Sequence, residues 1–159
     1  MSELLLLIDG SVSTQSKIGY GAYLAIFESE LLLPELKKQV KVKCFEQTSS
    51  TKLELQTLLW ALSEIQTSKP KVIVYTDSQN IVGLPGRRSR LERNNYLSNK
   101  NVLLNNYELY QEFYRRIDQL DCQLIKVRGH QPSNQKDAID QLFTLVDKAS
   151  RKALKEAIK

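Results

Sequence analysis

Leu4-Leu5-Leu6-Leu7-Ile8-Asp9-Gly10-Ser11 is the stretch that decides the fold. Five apolar residues in a row, without alternation, fit a central strand buried on both faces. Asp9 closes that run, so a carboxylate is expected at a strand end. The shorter run Val72-Ile73-Val74-Tyr75 leads in the same way to Asp77. Two such strands should lie adjacent and parallel, and ligands in sheets of this kind gather at strand carboxyl ends.

Outward from these runs, Gly19 to Phe27 reads as a second strand, and Val40, Val42 and Cys44 alternate with lysines in a third. The short connections predict an antiparallel meander. Leu55, Leu58, Leu59, Leu62 and Ile65 recur at helical spacing until Lys69-Pro70 stops the helix, so the next strand follows by a right-handed crossover. Residues 84 to 101 are the least periodic and read as a surface excursion. Leu109, Phe113, Ile117 and Leu120 form one stripe of a helix over Leu103 to Leu120, before a fifth strand over Gln123 to Val127. Gly129 to Pro132 is a loop, and Leu142, Val146, Ala149, Ala153 and Ala157 mark a last helix.

The chain has 159 residues, 42% of them hydrophobic and 26% charged, which suits one domain over residues 1–159 that buries about two-thirds of its unfolded surface. Leu4 to Ile8 has no basic leader and is far too short to span a bilayer. Neither a signal peptide nor a membrane helix is expected, and the protein should be a cytoplasmic monomer. Cys44 and Cys122 lack metal-ligand spacing and an extracellular framework, which predicts reduced, buried thiols. Lys and Arg number 23 against 18 Asp and Glu, a net charge of +5. A basic surface around an acidic centre is what an enzyme acting on a polyanion needs.

Asp9, Glu54, Asp77 and Asp147 fall on four separate elements. Carboxylates crowded into a cleft repel one another, so a cluster of them implies bound divalent cations. Hard oxygen ligands suit Mg2+ or Mn2+, and two such ions about 4 Å apart are recurring apparatus for cutting phosphodiesters. Each acid also has a structural reading. Asp9-Gly10 could be a hairpin turn, Asp77 a helix cap, Thr51 to Glu54 a capping box, and Asp147 a partner of Arg151. His130, the sole histidine, is either a solvated loop residue or a group for proton transfer or product displacement. Trp60 reads as core packing rather than base stacking. Arg87, Arg88, Arg90 and Arg93 are a solvated face or a phosphate contact.

Taken in order, Ile8-Asp9-Gly10-Ser11, Gly19-Tyr20-Gly21-Ala22, Leu53-Glu54-Leu55, Tyr75-Thr76-Asp77-Ser78-Gln79, Lys126-Val127-Arg128-Gly129-His130 and Val146-Asp147-Lys148-Ala149-Ser150 resemble the type 1 ribonuclease H family. The resemblance implies an α/β fold with a five-stranded mixed sheet, three strands antiparallel and two added in parallel, flanked by helices. It implies cleavage of the RNA strand of RNA-DNA hybrids to 5′-phosphate and 3′-hydroxyl ends. Asp9, Glu54, Asp77 and Asp147 would hold two Mg2+ ions, for which Mn2+ could substitute, and His130 would assist catalysis. Gly10, Ser11 and Gln79 fall where the family approaches the RNA, whose 2′-hydroxyls distinguish it from DNA. The family's Thr-Asn-Asn before the helix is Ser49-Ser50-Thr51 here, which puts hydroxyls in place of amide contacts to the nucleic acid. The Trp-containing basic handle of some members is missing, and the arginines of residues 84 to 101 stand in its place. In the implied strand order Cys44 and Cys122 lie at opposite sheet edges, too far apart for a disulfide.

Two alternatives accompany this reading. Proofreading-type exonucleases of the same fold carry Asp-x-Glu on the first strand, where this chain has Asp9-Gly10-Ser11, and integrase-like enzymes end their acidic set with Glu rather than Asp147. A noncatalytic nucleic-acid-binding module would keep the sheet and basic surface. The presence of all four acids and the histidine argues against it.

Overall fold

The computed structural model describes residues 3–27, 36–65, 71–127 and 138–158. Its strands are β1 (Leu4–Ser13), β2 (Ile18–Phe27), β3 (Lys41–Phe45), β4 (Val72–Thr76) and β5 (Cys122–Lys126). Its helices are α1 (Ser50–Glu64), α2 (Gln79–Val82), α3 (Leu84–Arg93), α4 (Tyr107–Gln119) and α5 (Ala138–Ala157), with a 3-10 turn at Leu36–Gln39. The sheet order is β3-β2-β1-β4-β5. Pairing is antiparallel from β3 to β1 and parallel from β1 to β5, the expected mixed sheet. Among the described residues no helix is long and apolar enough to cross a membrane.

Strand parity divides the core in two. Leu4, Leu6 and Ile8 pack with Leu55, Leu58, Leu62 and Phe113 of α1 and α4, whereas Leu5 and Leu7 pack with Leu142, Phe143 and Val146 of α5. Successive side chains of a strand point to opposite faces, so an unbroken apolar run is what a strand covered on both sides requires. Trp60 meets Tyr23 edge to face at 4.8 Å and Phe45 at 6.3 Å, which bears out its packing role.

The expectation that Asp9 ends the first strand is corrected. β1 runs on to Ser13, paired with β2 through Asp9↔Ala22, Gly10↔Gly21 and Ser13↔Ile18, and the hairpin turns after it with Lys17 at φ 59°. The ladder with β4 reaches only Leu7↔Tyr75. β1 therefore outlasts its parallel neighbour, and Asp9 stands where the sheet opens.

Three glycines bring α1 down onto this end of the ladder. A Cβ on Gly10 or Gly19 would lie 2.8 Å from Cδ2 of Leu53, and one on Gly21 would lie 2.1 Å from Oγ1 of Thr57. That hydroxyl is almost fully buried and donates to the Leu53 carbonyl at 2.7 Å. The sheet surface is pared to backbone so that the helix side chains can fill the space.

Residues 84 to 93, expected as an irregular excursion, form α3 instead. Pro85 sits at the helix start, where its missing N–H costs nothing. Leu84 and Tyr96 are buried in the α1–α4 core and anchor both ends of the segment. Arg88 ties it to α4. Its Nη1 and Nη2 donate to Oδ1 and Oδ2 of Asp118 at 2.6 and 2.8 Å, and its guanidinium lies 5.0 Å from the Tyr114 ring centroid. Tyr114 in turn donates its hydroxyl to the Leu84 carbonyl at 2.6 Å. Helical periodicity is absent here because these anchors are few and the rest of the helix faces water. α4 starts at Tyr107 rather than Leu103, because Leu103 pairs with Leu97 in an isolated bridge.

Cys44 is exposed, contrary to expectation, and Cys122 is half-buried. They occupy β3 and β5, the two edges of the sheet. Four strand spacings separate these edges, roughly 19 Å at about 4.8 Å each, far beyond the ~4.4–6.8 Å between the Cα atoms of a disulfide. Burial pushes the Cys122 thiol up to about 11. Two outcomes are expected. Both thiols label without reductant, Cys44 well before Cys122, when alkylation of the native protein is followed by peptide mass spectrometry. Gly21→Ala lowers stability by roughly 1–3 kcal/mol through overpacking against Thr57, and Thr57→Ala in the same chain recovers part of that loss in urea unfolding.

Candidate metal centre

Parity places Asp9. With Leu5 and Leu7 facing α5, Asp9 and Ser11 face it too, and there Asp9 shares a carboxyl hydrogen bond with Asp147. One turn on, Ser11 Oγ meets Ser150 Oγ at 3.1 Å, while Ser150 donates to the Asp147 carbonyl at 3.0 Å. Ser150 is fully buried and Ser11 half-buried, and their hydroxyls dock the Asp147 turn of α5 against β1. Arg151 Nε donates to Asp147 Oδ1 at 3.0 Å, the ion pair expected one helical turn away.

Register bears on Asp77. β1 and β4 pair Leu4↔Val72 through Leu7↔Tyr75, and Asp9 and Asp77 each lie two residues beyond the last pair. The two carboxylates feel each other's charge. Asp77 is not the helix cap. That role belongs to Ser78, whose Oγ accepts from Ile81 N at 3.2 Å.

Glu54 comes from the other side of the sheet. The cap of α1 is Ser49, which accepts from Lys52 N at 3.3 Å, so the capping box expected over Thr51 to Glu54 does not form. Glu54 is thereby left one turn into the helix, beside the Leu53 that fills the glycine surface. It feels the charge of Asp77.

The electrostatics follow from partly burying Asp9 and Glu54 near the exposed Asp77. Asp9 rises from its ordinary 3.8 to about 8, chiefly by burial, then by the Asp77 charge and the Asp147 hydrogen bond, with the Gly10 backbone pulling the other way. Glu54 is also raised, first by burial and then by Asp77, against the Ser78 hydroxyl. Asp9 thus links to Asp77 and Asp147, and Asp77 links to Glu54. Yet among the described residues no three acidic, His or Cys side chains are grouped closely enough to enclose an ion. The two observations describe different ranges. Repulsion acts across several ångströms and spreads the carboxylates, whereas ligation of Mg2+ demands oxygens at about 2.1 Å. The donor set fits a hard divalent cation, because it consists of carboxylate oxygens, one of them on Asp147 already paired with Arg151.

The remaining expected residues divide. Gly10 is filled against by Leu53, and Gln79 is exposed with its Oε1 accepting from Lys126 Nζ at 3.3 Å. Ser49, Ser50 and Thr51 are exposed at the start of α1. Arg87 donates to Asn80 O and Oδ1 at 3.2 and 2.8 Å, Arg88 is held by Asp118 and Glu92, and Arg90 and Arg93 are exposed. His130 lies outside the described residues. Sequence reading passed over Ser78, Ser150 and Lys126. Ser78 had a signal in the Ser78-Gln79-Asn80-Ile81 cap pattern, but Ser150 had none, because its partner Ser11 is 139 residues away.

Among solved structures, the solution structure of the PFV RNase H domain matches 95% of this chain and 93% of its own length, with a TM-score of 0.72 at 16% identity, a likeness of fold. No curated protein matches the chain at the sequence level. The RNase H family model matches residues 1–149, from the first strand through the turn of α5 that carries Asp147. A match of that extent, over all five strands and the helices that carry Glu54 and Asp147, means that the chain belongs to the RNase H family.

Proposed function

We propose that this protein is an endoribonuclease that cuts the RNA strand of RNA-DNA hybrids, with Asp9, Glu54, Asp77 and Asp147 holding two Mg2+ ions, or Mn2+ in their place. What carries the reading is the place of Asp9, two residues past the last β1–β4 pair at the end of an apolar strand, where burial first and then Asp77 and Asp147 hold its carboxyl well above the ordinary value. A carboxylate so strained by its neighbours at neutral pH binds a proton or a cation. What bound Mg2+ supplies is charge, which activates the attacking water and neutralises the departing 3′ oxygen, leaving 5′-phosphate and 3′-hydroxyl ends.

The chain's own groups do the rest. Asp9, held above its ordinary value chiefly by burial, gives up its proton as a cation binds. Glu54, held from α1, keeps its side of the centre in place. Ser11 and Gln79 offer hydroxyl and amide groups, and Gly10 a bare backbone, to the 2′-hydroxyls of the RNA. Ser49, Ser50 and Thr51 open α1, where N–H groups and the helix dipole favour a phosphate of the hybrid. Arg90 and Arg93 add long-range attraction, and Arg87 and Arg88 extend the basic face from their packed positions. His130 carries the proton transfer or displaces product.

Asp77→Asn is expected to reduce Mg2+-dependent cleavage of a labelled hybrid to near background while hybrid binding persists, because the amide keeps the volume and loses the charge. Cleavage by this variant at close to the wild-type rate would sink the metal-site assignment. Wild-type binding without cleavage, beside RNA-RNA and DNA-DNA controls, would mark the chain as a binding module.

The pH dependence of stability has a definite sign. Asp9 titrates at its ordinary 3.8 when unfolded and at about 8 when folded, so the folded state holds more protons between these values. Stability of the cation-free protein therefore falls as pH rises through that window. Calorimetric melting in EDTA should show Tm decreasing from about pH 5 to about pH 8, with Mg2+ opposing the fall and Asp9→Asn flattening it.

A further inference from the structure

We propose that the groove between β3 and the stretch of α5 from Leu145 to Glu156 is a docking site for an acidic peptide, whose apolar side chains enter the groove while its carboxylates meet a rim of lysines. The inference is independent of the metal centre, since β2 lies between β3 and the strand that carries Asp9.

The groove follows from where β3 sits. It is an edge strand, and among the described residues its one ladder is with β2. Directly paired residues share a face, so Val42, opposite the Ala22 of the α5-side core, looks toward α5. Its neighbour Lys43 lies over the Phe45 and Trp60 rings on the α1 side. Val40 and Val42 thus form one wall, with Val42 39% exposed. The other wall is Leu145, Ala149 and Ala153, a stripe of α5 at four-residue spacing. The alanines are too short to close on the strand, and a groove of about 520 Å³ is left. An apolar floor of this kind within a polar rim marks an interaction surface.

The rim selects the occupant. Lys37, Lys148 and Lys152, all exposed, stand around the floor against one acid, Glu156. Asp147, next to Lys148 in the chain, is already paired with Arg151. Charge complementarity therefore calls for carboxylates, and the floor calls for aliphatic side chains between them. A phosphodiester backbone answers the lysines and leaves the floor uncovered. A second copy of the chain brings its own lysines to the same rim, where like charges oppose. An acidic peptide answers both, and the outer edge of β3 offers it backbone groups to pair with.

The test is fluorescence anisotropy on the full chain with a labelled synthetic peptide in which Leu and Ile are each flanked by Asp or Glu. Two further peptides carry Ser in place of Leu and Ile, or Asn and Gln in place of the acids. The first peptide should bind with an affinity that falls as salt rises, and both controls should bind far more weakly. The double variant Lys37→Glu, Lys152→Glu should weaken binding roughly tenfold and flatten the salt dependence. Ala153→Phe should weaken it with the salt slope unchanged, because the ring fills the groove and leaves the rim charge alone; Val42→Thr, which keeps a strand-forming shape, is the second apolar variant. Tm recorded for each variant separates these losses from unfolding. Equal binding of the Ser peptide, unchanged affinity in all three variants, or no binding of the first peptide to wild type would overturn the proposal. So would single-stranded or duplex DNA whose binding Ala153→Phe weakens as strongly, or a dimer in sedimentation that Ala153→Phe dissolves, since the groove would then belong to nucleic acid or to a second copy.

Discussion

The pleat of β1 is the constraint on which the rest depends. Its even-numbered residues, Leu4 to Gly10, face α1 and its odd-numbered ones, Leu5 to Ser11, face α5. A shift of one residue would exchange the two sets, send Asp9 toward Leu53, and bury a second-face leucine against bare backbone. Both faces are apolar up to Ile8, so their burial pins the register far more firmly than any polar contact at the site could. The carboxylate position is inherited from hydrophobic packing several residues upstream.

That inheritance explains how a cluster of repelling charges survives. Asp9 is displaced far above its ordinary value, and Glu54 is raised as well, so both oppose the folded state when ionised. The glycine-lined approach of α1 and the part-buried Ser11–Ser150 contact hold their elements together regardless. Strain of this kind at a prospective site, offset by a well-packed frame, is the usual relation between stability and chemistry.

The positive charge is less available than its total suggests. Of the arginines near residue 90, Arg88 is spent on α4 and Arg87 on Asn80, while Arg90 and Arg93 face water. Lys43 lies over the Phe45 and Trp60 rings, at 5.4 and 5.9 Å from their centroids, on the β3 edge. Part of the basic surplus thus maintains packing between elements, and an electrostatic reading by residue count alone overstates what remains for a polyanion.

The sequence by itself determined the local half of this structure. The unbroken run at Leu4 announced a strand covered on both faces, the spacing from Leu55 to Ile65 announced α1, and the order of the motifs announced the mixed sheet and the four acids. Such features are encoded in consecutive residues and survive in any context. What only the tertiary structure decided is which partner each end of those elements meets. β1 outruns Asp9 because β2 pairs with it to Ser13, and the helix over residues 84 to 93 stands because Leu84 and Tyr96 reach a core contributed by α1 and α4. The caps fell to Ser49 and Ser78 rather than to Thr51 and Asp77. The physical reason is common to all three. Hydrogen bonds and apolar contacts are satisfied by whichever group packing brings nearest, three residues along at Ser49 and Ser78 and on another element at Ser13, Leu84 and Tyr96.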